Sequence, residues 1–204
     1  MTGMIKKDIM LVFSNKKILL MLVLFYLGFG LLTDTDMGGM LPFIVVMLNC
    51  STSSYDEFYN WYAYSAAMPR GREMLVKSKY ISMLLLVLAS ILICIPMSLI
   101  IQLKSGNLDV VYVLLNIGAV SLITIITGDL VYPIIFKMGV DKGRLMLMVV
   151  WLAFFALVFM GFKYIEVSDE IFVKALAYAI AATAVIGTPI SYMISKKIYS
   201  KKEL

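Results

Sequence analysis

One acid stands inside an apolar run: Asp129, preceded by Thr127-Gly128 within the stretch Leu108–Phe136. A carboxylate at membrane depth is expensive, so by default it marks a place where an ion or proton is handled. Lys137 follows eight residues later, about two helical turns on, and can share its face. A structural ion pair, or an acid that reaches the membrane interface, therefore competes with a transport role for Asp129. Asn49 and Asn116 are the other polar candidates in apolar runs, and hydrogen bonding between helices is their expected work.

Little else in the sequence can do chemistry. Histidine is absent, and Cys50 and Cys94 both lie in apolar stretches, which reads as two small buried hydrophobes and not as a disulfide or zinc site. No G-x-x-x-x-G-K-[ST] phosphate loop occurs, so ATP is not bound in the usual way. H-E-x-x-H, G-x-S-x-G and paired-carboxylate constellations are missing too. No filter-like motif or ring of charge points to a channel. A proton-coupled carrier would normally hold more than one intramembrane ionisable group, and a six-span unit is small for one unless it dimerises.

What must position these residues is a membrane. Hydrophobic residues make up 62% of the 204, against roughly 45–50% in soluble domains. The net charge of +5 does not point to nucleic acid, because the basic residues flank apolar spans. Six spans of suitable length are predicted, at about 18–32, 38–54, 80–103, 108–136, 145–162 and 171–195. Pro42, Pro96, Pro133 and Pro189 fall inside four of them, which predicts kinks. The predicted first span runs from Leu32 into Thr33-Asp34-Thr35-Asp36, which is not a small-residue cleavage site. Fifteen of the eighteen basic residues fall on one side of this arrangement. The positive-inside rule then puts both termini in the cytoplasm of a cell-membrane protein. The expected fold is a single all-α membrane domain over residues 1–204.

Two segments are neither spans nor simple loops. In Met4–Phe13, Ile5, Ile9, Val12 and Phe13 form one apolar face, with Lys6, Lys7 and Asp8 off it. This predicts a basic amphipathic helix over about 4–14, lying in the membrane interface, unless it simply continues the first span. The one long inner connection, Tyr55–Lys79, opens with a predicted helix over about 55–68. Tyr55, Phe58, Tyr59, Tyr62 and Ala66 share one face, for the membrane side. Glu57, Trp61, Tyr64 and Met68 share another, toward the cytosol, before Pro69 and Gly71 stop the helix. An exposed Trp and Met suggest a docking surface, and an interfacial aromatic belt is the competing reading.

These features resemble the membrane subunits of type-2 ABC exporters. The nearest likeness is to the small six-span permeases that include the Pmt-type exporters of phenol-soluble modulins. The residues that carry it are Met4-Ile5-Lys6-Lys7-Asp8, Ser53-Ser54-Tyr55-Asp56-Glu57, Trp61, Tyr64, Met68-Pro69-Arg70 and Val76-Lys77-Ser78-Lys79-Tyr80. The match is specific over about residues 1–85 and rests on hydropathy and spacing beyond. The resemblance implies that the stretch around Asp56–Met68 is a coupling helix seated on a separate ABC ATPase subunit, with Asp56, Glu57, Trp61, Tyr64 and Met68 as its contact residues. It implies that ATP and Mg are bound by that partner and that this chain carries no cofactor. It also implies pairing with a second permease subunit, as homodimer or heterodimer, in the lipid bilayer. Many family members carry a re-entrant helical pair before the last span. Only about eight residues, Lys163–Glu170, are available for one here.

The expected function is the transmembrane subunit of an exporter of amphipathic or antimicrobial peptides, or of other hydrophobic compounds. A membrane-embedded enzyme would need a catalytic constellation that the sequence lacks. A self-sufficient channel or carrier, or a membrane anchor or sensor, would need no ATPase.

Overall fold

A computed structural model describes residues 2–14, 16–33, 40–106, 109–143, 145, 146, 148, 149, 152 and 170–201. The helices are α1 (Thr2–Ser14), α2 (Lys16–Thr33), α3 (Met40–Phe58), α4 (Trp61–Ala66), α5 (Gly71–Ser105), α6 (Val110–Met138) and α7 (Glu170–Ser200). A further helical turn begins at Val140. No strand forms among the described residues. Helix is the physical solution for such a sequence, because a helix satisfies its own backbone polar groups without water.

Local chemistry sets the helix ends. The Asp109 carboxylate accepts from the N–H groups of Val111 (3.0 Å) and Tyr112 (3.1 Å), which caps α6. Gly106 (φ 77°) closes α5 and Gly139 (φ 85°) closes α6, both in backbone conformations that suit glycine. Pro42 lies in the first turn of α3, where its missing N–H costs nothing. Pro96, Pro133 and Pro189 sit inside α5, α6 and α7.

Among the described residues two helices are long and apolar enough to cross a membrane by themselves, over Gly71–Lys104 and Val110–Met138. At 1.5 Å per residue α5 extends about 52 Å, against about 30 Å of bilayer hydrocarbon. It therefore starts well before the expected span at Tyr80. α1 and α2 form a bent pair at 58°, so α1 is a separate helix and not a straight extension of the first span. The predicted spans at 38–54 and 171–195 are helical, as α3 and α7. Most of the predicted span at 145–162, and nearly all of the connection 163–170, lie outside the described residues.

α5 is the central element, packed on α1, α2, α3, α4, α6 and α7, while α6 runs along α7. Two apolar clusters build the core. One gathers Val76, Tyr80, Met83, Tyr132, Phe136 and Tyr199. The other gathers Tyr26, Cys94, Met97, Ile101, Val113 and Ile117. Tyr26 Oη and Ser98 Oγ share a hydrogen bond of 3.3 Å that ties α2 to α5. Cys50 and Cys94 are both buried, and neither forms a disulfide. The outer surface carries Leu24, Phe25, Leu88, Leu92, Leu115 and Met193 well exposed, a surface suited to lipid.

The joint between α4 and α5 is tight. A Cβ on Gly71 would lie 1.8 Å from the Ser65 carbonyl oxygen, which is backbone and cannot swing aside. Gly28, by contrast, faces open space. Gly71→Ala should therefore cost about 1–3 kcal/mol or more. The check is the thermal midpoint of the detergent-solubilised chain, which should fall for Gly71→Ala and hold for Gly28→Ala.

Candidate functional site

The densest chemistry lies where α1, α3 and α5 meet beneath α4. Lys79, on α5, is 0% exposed. Its Nζ donates to Asp8 Oδ1 on α1 (3.0 Å) and to Thr52 Oγ1 on α3 (2.8 Å). It also approaches Asp56 Oδ2 on α3 at 2.6 Å, as an ion pair and not a well-aligned hydrogen bond. An ammonium has three donors, and three oxygens surround this one. Lys7 completes the group by pairing with Asp56, lying 3.4 Å from Asp8 Oδ1, and standing 4.8 Å from the centre of the Trp61 ring. Two carboxylates and two ammoniums thus balance, with Asp8 and Asp56 almost wholly buried.

This arrangement revises several expectations. Asp8 was expected off the apolar face of α1, yet the inward row is Met4, Asp8 and Val12. Its spacing of four was legible as a helical row, but an acid in the middle of it was not read as core. Lys79 was read only as a flanking charge, although it falls in step with buried Val76 and Met83. Asp56 faces inward and is not a surface contact.

The segment predicted as one helix over 55–68 is two pieces. α3 continues through Phe58, then Asn60 adopts the left-handed conformation (φ 51°, ψ 31°) and α4 begins at Trp61. Asn tolerates that conformation better than most residues. The break rotates the second piece. Trp61 and Met68 become half-buried against the core, and Tyr62 packs on Tyr199 with ring centres 5.8 Å apart. Tyr55, Phe58 and Tyr59, expected on the membrane side, and Tyr64, expected toward the cytosol, are all exposed. Glu57 is exposed as well, and its Oε2 accepts from the Val140 N–H (2.9 Å), capping the turn that follows Gly139. A Cβ at position 139 would lie only 3.0 Å from Glu57 Oε1, so glycine is favoured there by contact as well as by φ.

Aromatic rings continue inward from α4. Tyr199 lies 5.4 Å from Phe136, Phe136 6.4 Å from Tyr132, and Tyr132 5.1 Å from Tyr80, centre to centre. Burial pushes the Tyr62 phenol far above its usual range, helped by the negative Asp56, and burial also raises Tyr199. Both therefore act as neutral packing groups. On the surface, the Lys196 ammonium donates to Glu73 (2.7 Å), lowering the carboxyl and raising the ammonium.

Asn49 bridges three helices, donating to Tyr132 Oη on α6 (2.9 Å) and Ser82 Oγ on α5 (3.3 Å). Asn116 is half-buried on α6. Asp129 does not pair with Lys137, which is exposed. Its partner is Thr188 on α7, whose hydroxyl donates to Oδ2 at 2.8 Å. The two sites are separate: the ionic group serves α1, α3 and α5, and Asp129 serves the seam between α6 and α7.

Removing one member of a buried ion group leaves an uncompensated charge, at about 3–5 kcal/mol. Lys79→Met should destabilise the chain by that order. Lys79→Met combined with Asp8→Asn should recover much of the loss, since Lys7 and Asp56 then balance alone. Lys16→Ala, at an exposed position, should cost under about 0.5 kcal/mol. Chemical unfolding in detergent measures all three.

Comparison with known proteins fits this architecture. No curated protein and no solved structure matches the chain significantly. Residues 3–200 match a family described as "ABC-2 family transporter protein". Permeases of that family are membrane subunits that work with an ATPase subunit and are generally not themselves catalytic. The match spans nearly the whole sequence, so the chain belongs to the ABC-2 transporter family, which supplies the membrane part of ABC transporters.

Proposed function

We propose that this chain is the transmembrane subunit of an ATP-driven exporter, worked by a separate ATPase subunit that docks on the end of α3 and on α4. The observation that carries this reading is the aromatic patch above the ionic group. Phe58 is 78% exposed, with Tyr55, Tyr59 and Tyr64 exposed around it. Large aromatic side chains exposed together favour a partner that covers them. Beside them lies an open cleft of about 600 Å³ between the end of α3 and Val140-Asp141, with Glu57 on its wall. In this reading Phe58, Tyr59 and Tyr64 touch the ATPase. Asp56, Trp61 and Met68 hold the patch from beneath, and Glu57 ties it to the turn after α6.

The transporter would contain two such permease subunits, alike or different, and two ATPases that bind ATP and Mg. Six spans with both termini in the cytoplasm agree with the placement of fifteen of eighteen basic residues on one side. That topology places the α3–α4 break where an ATPase can reach it in a cell membrane. The cargo class, amphipathic or antimicrobial peptides and other hydrophobic compounds, follows from the resemblance to Pmt-type permeases.

Phe58→Ala combined with Tyr59→Ala should lower recovery of the ATPase with the tagged chain about tenfold or more, because paired aromatic anchors each contribute on the order of 1–2 kcal/mol. Thermal stability should hold, since both side chains are exposed. Recovery equal to that of the unmodified chain would instead favour a self-sufficient carrier or sensor.

A further inference from the structure

Asp129 differs from the other buried acids, Asp8 and Asp56, in having no counter-charge among the described residues. The residue is 5% exposed. Its Oδ2 accepts one hydrogen bond, from Thr188 Oγ1, and that hydroxyl also serves the Ala184 carbonyl (2.9 Å). Its Oδ1 is buried with no hydrogen-bond partner among the described residues. The titratable groups nearby among the described residues are Tyr80 on α5, Tyr132 on α6 itself and Tyr192 on α7, with Cys50 of α3 close to Tyr132, and neither a phenol nor a thiol can carry a positive charge. Lys137 is exposed, and Lys196 is exposed and held by Glu73. Gly187 brings the α7 backbone alongside, so that a Cβ there would be in contact with Oδ2 at 3.6 Å.

Around the carboxyl the described residues offer hydroxyl and carbonyl oxygen. Ser191 Oγ donates to the Asp129 carbonyl. Tyr80 Oη bonds both Ser191 Oγ (2.6 Å) and Ser195 Oγ (2.8 Å). Ser195, Tyr80 and Ser191 thus form a hydroxyl row that runs from near the Lys196 end of α7 to the backbone carbonyl of Asp129, beside its carboxyl. A bare carboxylate in apolar surroundings is not sustained without a compensating charge. In the Lys79 group the chain supplies that charge itself. At Asp129 none of the described residues does, which leaves the charge to come from outside them. One carboxylate matches one positive charge, and carboxylate, carbonyl and hydroxyl oxygens suit a hard cation.

We propose that Asp129 is a binding site for a small monovalent cation, a proton or a sodium ion, which neutralises its carboxyl and reaches it along the Ser195–Tyr80–Ser191 hydroxyl row. This inference rests on the chain being embedded in a membrane and not on the ATPase-docking reading, so either can fail without the other. The test is infrared spectroscopy of the full-length chain, isotope-labelled at aspartate, in lipid nanodiscs. Spectra of the unmodified chain and of Asp129→Asn are compared while pH and then sodium are titrated, with potassium as the control. If the cation is a proton, a carboxylic-acid band persists at neutral pH and is lost in Asp129→Asn. If it is sodium, a carboxylate band shifts with added sodium and not with potassium, and is lost in the same variant. Should Asp129→Asn fail to fold, the titrations of the unmodified chain still decide, and Tyr80→Phe, which breaks the row, should delay exchange of the carboxyl proton or sodium. A carboxylate band at neutral pH that ignores sodium would overturn the cation site. Exchange unchanged in Tyr80→Phe would overturn the path.

Discussion

A lysine ammonium with no exposed surface must be surrounded by acceptors, and at Lys79 that requirement organises one whole end of the molecule. Its root is on α5, but its oxygens come from α1 and α3. α1 must therefore lie with Asp8 inward, and α3 must continue far enough past its apolar run to deliver Asp56. Once Asp56 is in place it fixes Lys7, and Lys7 in turn fixes Trp61 at the start of α4. The exposed aromatic patch is thus held from below by electrostatics and not by apolar packing alone. Such a group is directional in a way that hydrophobic contact is not, because ammonium and carboxylate lose most of their attraction when the register slips.

The two buried charge sites follow opposite logic. Around Lys79 the chain closes its own charge balance, which suits a joint that keeps one geometry. Around Asp129 the described residues leave the balance open, and the neighbouring groups among them are hydroxyls and a glycine that permits close approach. The rings of Tyr62, Tyr199, Phe136, Tyr132 and Tyr80 form a packed path between the two regions. Packed rings are poorly compressible, so a displacement at one end has few ways to be absorbed.

The helices were legible because apolar runs of that length have few other options. Their ends were less so: α3 and α5 run on into polar sequence, since nothing in Ser51–Phe58 or Arg72–Lys79 stops a helix once it has started. Asn60 was the missed punctuation, a residue suited to the left-handed conformation but hidden in an aromatic run. The Lys79–Asp8 contact spans 71 residues of sequence. Periodicity identifies which face of a helix is apolar, not which partner meets a polar residue on it, so Asp8 and Lys79 were read as solvent-facing. Trp61 was misjudged for the same reason, because the neighbour that covers it, Lys7, lies on another helix. Asp129 stood out at once, as one acid among apolar neighbours must, but its partner on α7 did not.

α5 is one continuous helix, and its proportions carry a mechanical meaning. From Lys79 it runs about 12 Å toward the Gly71 joint and about 39 Å toward Ser105. The ionic group grips it near the short end, and the clash-limited contact of Gly71 with Ser65 means that α4 cannot shift without carrying that end along. The helix is then a lever with unequal arms. A small tilt about Lys79, imposed at the Gly71 end, swings the far end through roughly three times the distance.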